Sequence, residues 1–297
     1  MLARRLASLA SLATLATAVA LTPLAVASAQ TVIVTSPGVV SVPVGGPEYS
    51  DAFATDRWLR NNVRQGSSVG IDGTYPESGN GSVYFQGTVA NASKADLEYY
   101  FGGTVLAPFT LGSLQSASYE YFRDASSTTA IFQNPALRFL IDADGSNATT
   151  NDRGYMIYEG ANNASPVTPG LWKTETIGAT SNLWFRQFSP GYSDYCAVGN
   201  CMTGIGRPLS AYQSYTSPNG SVFTANSLIY GLSFGIGSGW SGSYQGAVDN
   251  VAVTVNGRTT TFNFETSVSA VPEPATFALF GTGLLAIGGL ARRRRKA

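Results

Sequence analysis

From about residue 51 onward, short apolar runs alternate with turn residues, and no long window holds a helical period. Runs at 81–89, 97–101, 117–122, 136–142, 153–159, 182–188, 227–236 and 245–255 are rich in Tyr, Phe, Val and Ile, and Gly, Asn, Ser and Pro bound them. That pattern predicts strands. Leu137, Phe139 and Ile141 share one face of their run, which leaves Arg138 pointing outward. Val251, Val253 and Val255 share a face with Asp249. Asn256-Gly257 then separates two strand-like runs, and a two-residue Asn-Gly loop favours a type I′ hairpin because both residues need positive φ. Thr260, Phe262 and Phe264 continue the inward face beyond it. Many short strands without helices predict an all-β chain with a single antiparallel β-sandwich, jelly-roll-like, over residues 51–266. Residues 30–50 carry Val32, Val34, Val39, Val40, Val42 and Val44 between Pro37, Pro43 and Pro47, and read as an edge strand or a Pro/Gly-rich linker.

The two ends follow a different pattern. Arg4 and Arg5 precede an Ala/Leu-rich apolar stretch from Leu6 to Leu21, and Ala27-Ser28-Ala29 supplies a small-x-small exit. Residues 1–29 therefore read as a signal peptide cleaved after Ala29, which implies Sec-type export and signal peptidase as partners. At the other end, Pro272-Glu273-Pro274 is followed by an uncharged stretch, 275–291, and then by Arg292-Arg293-Arg294-Arg295-Lys296. As a helix that stretch would be roughly 25 Å long, at the lower limit for crossing a bilayer. The basic cluster would stay cytoplasmic and the body outside. The two prolines would keep the Pro-Glu-Pro strip extended at the membrane face.

This tripartite arrangement over 267–297 resembles the PEP-CTERM protein-sorting signal of bacterial exported proteins. The resemblance implies recognition of Pro272, Glu273 and Pro274 by an exosortase-type membrane protease. It also implies a transient anchor in the inner membrane through helix 275–291, then delivery to the cell surface or extracellular matrix. A plain tail anchor is the alternative. Within the body, Gly239-Trp240-Ser241-Gly242 through the run 246–251 is similar to the closing strands of lectin-like and carbohydrate-binding jelly rolls.

Composition narrows the chemistry. Only 12% of the 297 residues are charged, against about 25% in an ordinary globular domain, and 33 glycines help fill the gap. Formal net charge is zero. Setting aside Arg4, Arg5, the five basic residues of 292–296 and Glu273 leaves 11 basic against 17 acidic side chains in the body. An acidic body argues against nucleic acid as a partner, because that binding needs basic surfaces to displace counterions. The chain has no histidine, which excludes Ser-His-Asp and Cys-His catalysis and His-ligated zinc.

Three sets of residues remain as candidate chemistry. Cys196 and Cys201 are the only cysteines, and in an exported chain such a pair reads as a disulfide. A redox role is the alternative, although the spacing is not Cys-x-x-Cys. Asp142, Asp144 and Asn147, with Asp152 beyond, make an oxygen-rich loop after a strand, the donor type that calcium requires. The loop is no EF-hand, since its glycine is misplaced and no Glu closes it. Ordinary solvated turn chemistry is the competing reading. Finally, Glu120, Glu159, Glu175 and Asp249 could in principle supply a glycosidase pair, and Trp58, Trp172, Trp184 and Trp240 either stack on sugar or fill the core.

No constellation provides an activated nucleophile. The expectation is thus an exported, surface-sorted, non-catalytic protein whose sandwich is structural, adhesive or matrix-associated, with polysaccharide as the ligand class. The alternative is a secreted carbohydrate-active hydrolase using two carboxylates.

Overall fold

The computed structural model describes residues 28–35, 38–39, 56–88, 93–146, 152–188, 206–214 and 223–266. Most of the predicted leader, the tail with Pro272, Glu273, Pro274 and the 275–291 stretch, both cysteines Cys196 and Cys201, and Asn147 lie outside them. Among the described residues no helix is long and apolar enough to cross a membrane.

Two β-sheets face one another with almost no helix. The first is built from β1 (Ser28–Val34), β4 (Ser68–Asp72), β5 (Ser82–Gly87), β8 (Leu114–Arg123), β11 (Trp172–Ile177), β15 (Tyr244–Val255) and β16 (Arg258–Phe264). The second contains β2 (Gly38–Val39), β3 (Trp58–Arg64), β6 (Lys94–Tyr100), β7 (Phe109–Thr110), β9 (Ala136–Asp142), β10 (Arg153–Tyr158), β12 (Asn182–Gln187), β13 (Arg207–Pro208) and β14 (Leu228–Gly237). Its main path runs β13-β12-β10-β9-β14-β6-β3-β2. The one described α-helix, α1 (Leu209–Ser214), is short and pinned by the Tyr212 hydroxyl, which donates to the Leu183 carbonyl at 3.0 Å.

Pairing is antiparallel except at two edges, where β1 runs parallel to β16 and β2 parallel to β3. The expectation of a purely antiparallel sandwich is corrected there. Both parallel strands come from the valine-rich 28–39 stretch, which is added at sheet margins rather than through hairpins.

The predicted hairpin forms between β15 and β16, with Val255 opposite Arg258 and positive φ at Asn256 (50°) and Gly257 (75°). Asn-Gly tolerates that backbone, which matches the right-handed strand twist. Along its other stretch β15 changes neighbour, pairing with β5 over Tyr244–Val248 and with β16 over Val251–Val255. At the switch, Asn250 has φ 48°, and the buried Asp249 carboxylate accepts from the backbone N–H groups of Phe264, Asn250 and Ser78. It thereby replaces the ladder bonds interrupted by the bulge.

Between the sheets lies an aromatic-rich core. Leu137, Phe139 and Ile141 enter it together from β9, as their alternation requires. Trp58 is also there, with Tyr99, Phe234, Phe262 and Phe264 around it. It therefore belongs to the core rather than to a sugar platform. Trp172 packs beside Phe122 on the first sheet.

Candidate functional site

Strands β6, β9 and β10 are buried on both faces, whereas β8 and β16 keep the one-face alternation of an ordinary sandwich. The extra burial comes from the face of the second sheet turned away from the core. Its side chains follow from the strand register. One row crosses the sheet as Leu59, Glu98, Ser233, Arg138, Ile157 and Trp184, each directly opposite the next. A neighbouring row carries Asn61, Asp96, Gly235 and Ala136. A third holds Tyr100, Gly231, Leu140, Tyr155 and Arg186.

Strand β14 is central to this face. Its inward positions Leu232, Phe234 and Ile236 fill the core, while its outward positions are Gly231, Ser233, Gly235 and Gly237. The strand therefore floors a trough between the larger side chains of β6 and β9. Gly235 has a specific role, because a Cβ there would overlap both Asp96 Oδ1 and the Arg138 guanidinium. Its missing side chain lets Arg138 reach across β14 to Asp96 at 2.7 Å, with Lys94 on the other Asp96 oxygen at 3.1 Å. The outward orientation expected for Arg138 holds, but exposure does not follow, since its side chain is only 9% accessible.

Glu98 lies in the same floor, fully buried. It accepts from the hydroxyls of Tyr155 (2.5 Å) and Tyr100 (2.6 Å), from Asn61 Nδ2 (2.7 Å) and from Ser233 Oγ (3.3 Å). Burial, reinforced by the adjacent Asp96 charge, still raises its carboxyl above the ordinary range. Asp96 goes the other way. Burial opposes its charge, but Arg138 and Lys94 more than compensate and hold it below the usual value. Two neighbouring acids are thus pushed apart, one favouring the proton and one the anion.

Above this floor sits a cleft of about 150 Å³, with Arg138, Tyr155, Lys94, Trp184, Glu159 and Trp240 among its lining. Trp184 and Trp240 are half-buried, unlike Trp58. A second hollow of about 160 Å³ adjoins it, sharing Asn134, Glu159 and Trp240 and adding Tyr119, Phe132 and Glu175. Phe132 is 59% exposed at its rim. The buried indole N–H of Trp184 is directed at the Glu159 carboxyl without closing a well-aligned hydrogen bond. Burial raises the Glu159 carboxyl, against the opposing pull of the Trp184 edge and Arg138. Glu175 is anchored by Tyr158 Oη (2.9 Å), Ser165 Oγ and Lys173 Nζ (3.1 Å).

Of the four acids considered from sequence, Glu159 and Glu175 therefore line one hollow. Glu120 and Asp249 face each other in register on the first sheet, away from it. The floor acids Asp96 and Glu98 were not among the sequence candidates. The signal that could have found their trough is the small-large alternation of Gly231-Leu232-Ser233-Phe234-Gly235-Ile236-Gly237.

The oxygen-rich loop is placed at one end of this face, in the β9–β10 hairpin. Asp142, Asp144 and Asp152 each bring a carboxylate oxygen within 4.8 Å of the others. Asp142 accepts from Arg153 Nε (2.7 Å) and the Gly145 N–H, and Asp152 Oδ2 accepts from the Asp144 N–H at 2.8 Å. Asp152 Oδ1 is buried without any partner. An all-oxygen set with one oxygen unsatisfied fits a hard cation such as calcium.

The raised acids give the protein an uncommon pH profile. Asp249 is pushed up to about 6 by burial, and Glu98 and Glu159 are raised for the same first reason. In each, the folded state binds the proton more tightly than the unfolded chain, whose carboxyls titrate near 4. The Asp249 contribution is therefore fully present below about 4 and is lost as pH rises through about 6, and those of Glu98 and Glu159 are lost likewise as pH rises above the unfolded value. Asp56, Asp96 and Asp124 are lowered and act oppositely, losing stability as pH falls below the unfolded value. Without added divalent cations, the melting temperature should be higher at pH 5 than at pH 7.5 and fall again in stronger acid. Calorimetry across that range tests this, and a steady decline from pH 7.5 to 5 would contradict it.

Comparison with known proteins adds the following. No curated protein matches the chain. Among solved structures, it is similar to a family 11 carbohydrate-binding module of a cellulosomal cellulase of Clostridium thermocellum, with 14% identity over 67% of this chain and 87% of that one and a TM-score of 0.36. It is also similar to endo-β-1,4-glucuronan lyase of Trichoderma reesei (10% identity, 71% and 94% covered, TM-score 0.37). A third is a family 12 xyloglucanase of Bacillus licheniformis (10%, 71% and 98%, 0.36). At the C-terminus, the family described as the PEP-CTERM protein-sorting motif matches residues 270–296, spanning Pro272, Glu273, Pro274 and the basic run. That motif implies exosortase processing and marks an exported protein sorted to the surface. The chain carries the PEP-CTERM sorting motif.

Proposed function

We propose that this is a surface-sorted, non-catalytic polysaccharide-binding protein whose jelly-roll-like body takes glycan in the cleft over the second sheet. The observation that carries the reading is the pairing of Trp184 and Trp240, both half-buried, on the wall of a hollow with a polar floor. Sugars offer apolar C–H faces to aromatic rings and hydroxyls to fixed donors and acceptors. Here the indoles supply the first, and Arg138, Glu159, Asn134 and the Trp184 N–H supply the second. The exposed Phe132 extends the apolar rim into the adjoining hollow. In this reading the leader is removed after Ala29, helix 275–291 holds the body outside the inner membrane, and cleavage near Pro272-Glu273-Pro274 delivers it to the matrix. Cys196 and Cys201 are bonded to each other in the oxidising compartment.

The test is affinity electrophoresis or calorimetry of the detergent-solubilised full chain against a panel of soluble polysaccharides. Trp184→Ala and Trp240→Ala should each weaken binding about tenfold or more. Trp172→Ala, on the other sheet, should leave it unchanged. Retained affinity in the Trp184/Trp240 double variant would remove the cleft from consideration.

One observation favours a second reading. Glu159, raised by burial, and Glu175, held by Tyr158, Ser165 and Lys173, line one hollow, and acids in contrasting environments are the pattern of a general acid and its partner. Turnover that vanishes in Glu159→Gln while binding persists would make the protein a hydrolase.

A further inference from the structure

We infer that the β9–β10 hairpin is a calcium site formed by the carboxylates of Asp142, Asp144 and Asp152. The argument begins with distance. Calcium–oxygen bonds run about 2.3–2.6 Å, so two oxygens on opposite sides of one ion are separated by about 5 Å at most. Three carboxylate oxygens drawn from different residues lie within 4.8 Å of one another here, which is the span of one such ion.

Charge comes next. Asp142 and Asp152 are wholly buried. The Arg153 guanidinium, 2.7 Å from Asp142 Oδ2, offsets one of the three negative charges. Like charges gathered in a poorly solvated place repel strongly unless a cation neutralises them.

The decisive observation is the buried Asp152 Oδ1, which has no hydrogen-bond partner. The same carboxylate is held in place by its other oxygen, which accepts from the Asp144 N–H at 2.8 Å. A buried carboxylate oxygen left unpaired is costly, and an ion among the three acids would satisfy it. The hairpin is held at its base as well, since the Ser227 hydroxyl donates to the Ala143 carbonyl at 2.5 Å. The donors are all oxygen, which selects hard cations over zinc or copper. Three protein carboxylates exceed the one or two through which magnesium is usually held, so calcium is preferred to magnesium.

Calorimetric titration of calcium chloride into the chelator-treated, detergent-solubilised full chain tests this, together with its melting temperature in calcium and in EGTA. Calcium at a hundredfold excess over its Kd should raise the melting temperature by about 5–10 °C. Asp152→Asn and Asp144→Asn should each weaken calcium binding at least tenfold and shrink the thermal shift. Asp144 is exposed, so Asp144→Asn decides the matter even if Asp152→Asn fails to fold. No heat and no thermal shift in the unaltered chain would overturn the inference. So would calcium affinity unchanged in Asp144→Asn, or magnesium binding as tightly as calcium.

Discussion

Replacing Asp96 with alanine should destabilise the protein by about 3–5 kcal/mol, the cost of removing one partner from a buried ion pair. Asp96 is fully buried and bonded to Arg138 Nη1 at 2.7 Å, to Lys94 Nζ at 3.1 Å and to Asn62 Nδ2 at 3.1 Å. Its loss leaves two buried cations around one missing anion, a far larger penalty than the pair's own net attraction. Domains are stable by only about 5–15 kcal/mol, so the loss is a large fraction of the total and should lower the melting temperature by about 6–20 °C. Asp96→Asn keeps the shape and an acceptor and should cost less than the alanine change. Urea unfolding of the three proteins measures this. A midpoint for Asp96→Ala within experimental error of the unaltered protein would show that the network is not buried as described.

Trp58→Ala is expected to cost about 3–5 kcal/mol by a different route, a cavity in a packed core. Trp58 is 2% exposed, with four aromatic rings centred 5.2–6.0 Å away. Those rings come from β6, β14 and β16, so the indole joins both sheets. Trp172→Ala, on β11 beside Phe122, should cost less than about 1 kcal/mol. Thermal unfolding separates the two. Equal losses would contradict the assignment of Trp58 to the core and of the half-buried Trp172 to a position outside it.

Much of the architecture was legible in residue order, for local reasons. Strand β9 has the limits its alternation predicts, and Asn256-Gly257 sets its hairpin through backbone preference alone. Strand β3 escaped because its ladder with β6 breaks between Asn61 and Arg64, where Asn62 has φ 53° and the face alternation resets. Strand β11 escaped because Lys173, Thr174 and Glu175 conceal its short inward pattern.

The site divides in the same way. Asp142 and Asp144 are sequence neighbours, and a hairpin brings Asp152 to them. By contrast, Arg138 meets Asp96 from 42 positions away, across a strand whose Gly235 makes the room. Nothing within either segment announces the other, so an outward arginine reads as a solvated one.

The edge formed by β1 and β16 ties sandwich completion to export. Residues at the start of the body, Gln30 to Val34, pair with Thr260 to Phe264 and, among the described residues, with no strand nearer in sequence. Contacts this distant form late, because the whole intervening chain must first be available. Under the proposed amino-end-first export, the leading strand would have no partner until the segment just before the sorting motif had crossed. Its valines would stay uncommitted, and the β16 edge would stay open. The parallel direction adds a geometric consequence: Gln30 lies beside Thr260, while the chain leaves β16 beyond Phe264, several residues farther along the edge. Under the proposed processing, a body tethered by its tail would present the amino end cut after Ala29 displaced from the point of attachment, by roughly 13 Å at 3.3 Å per residue.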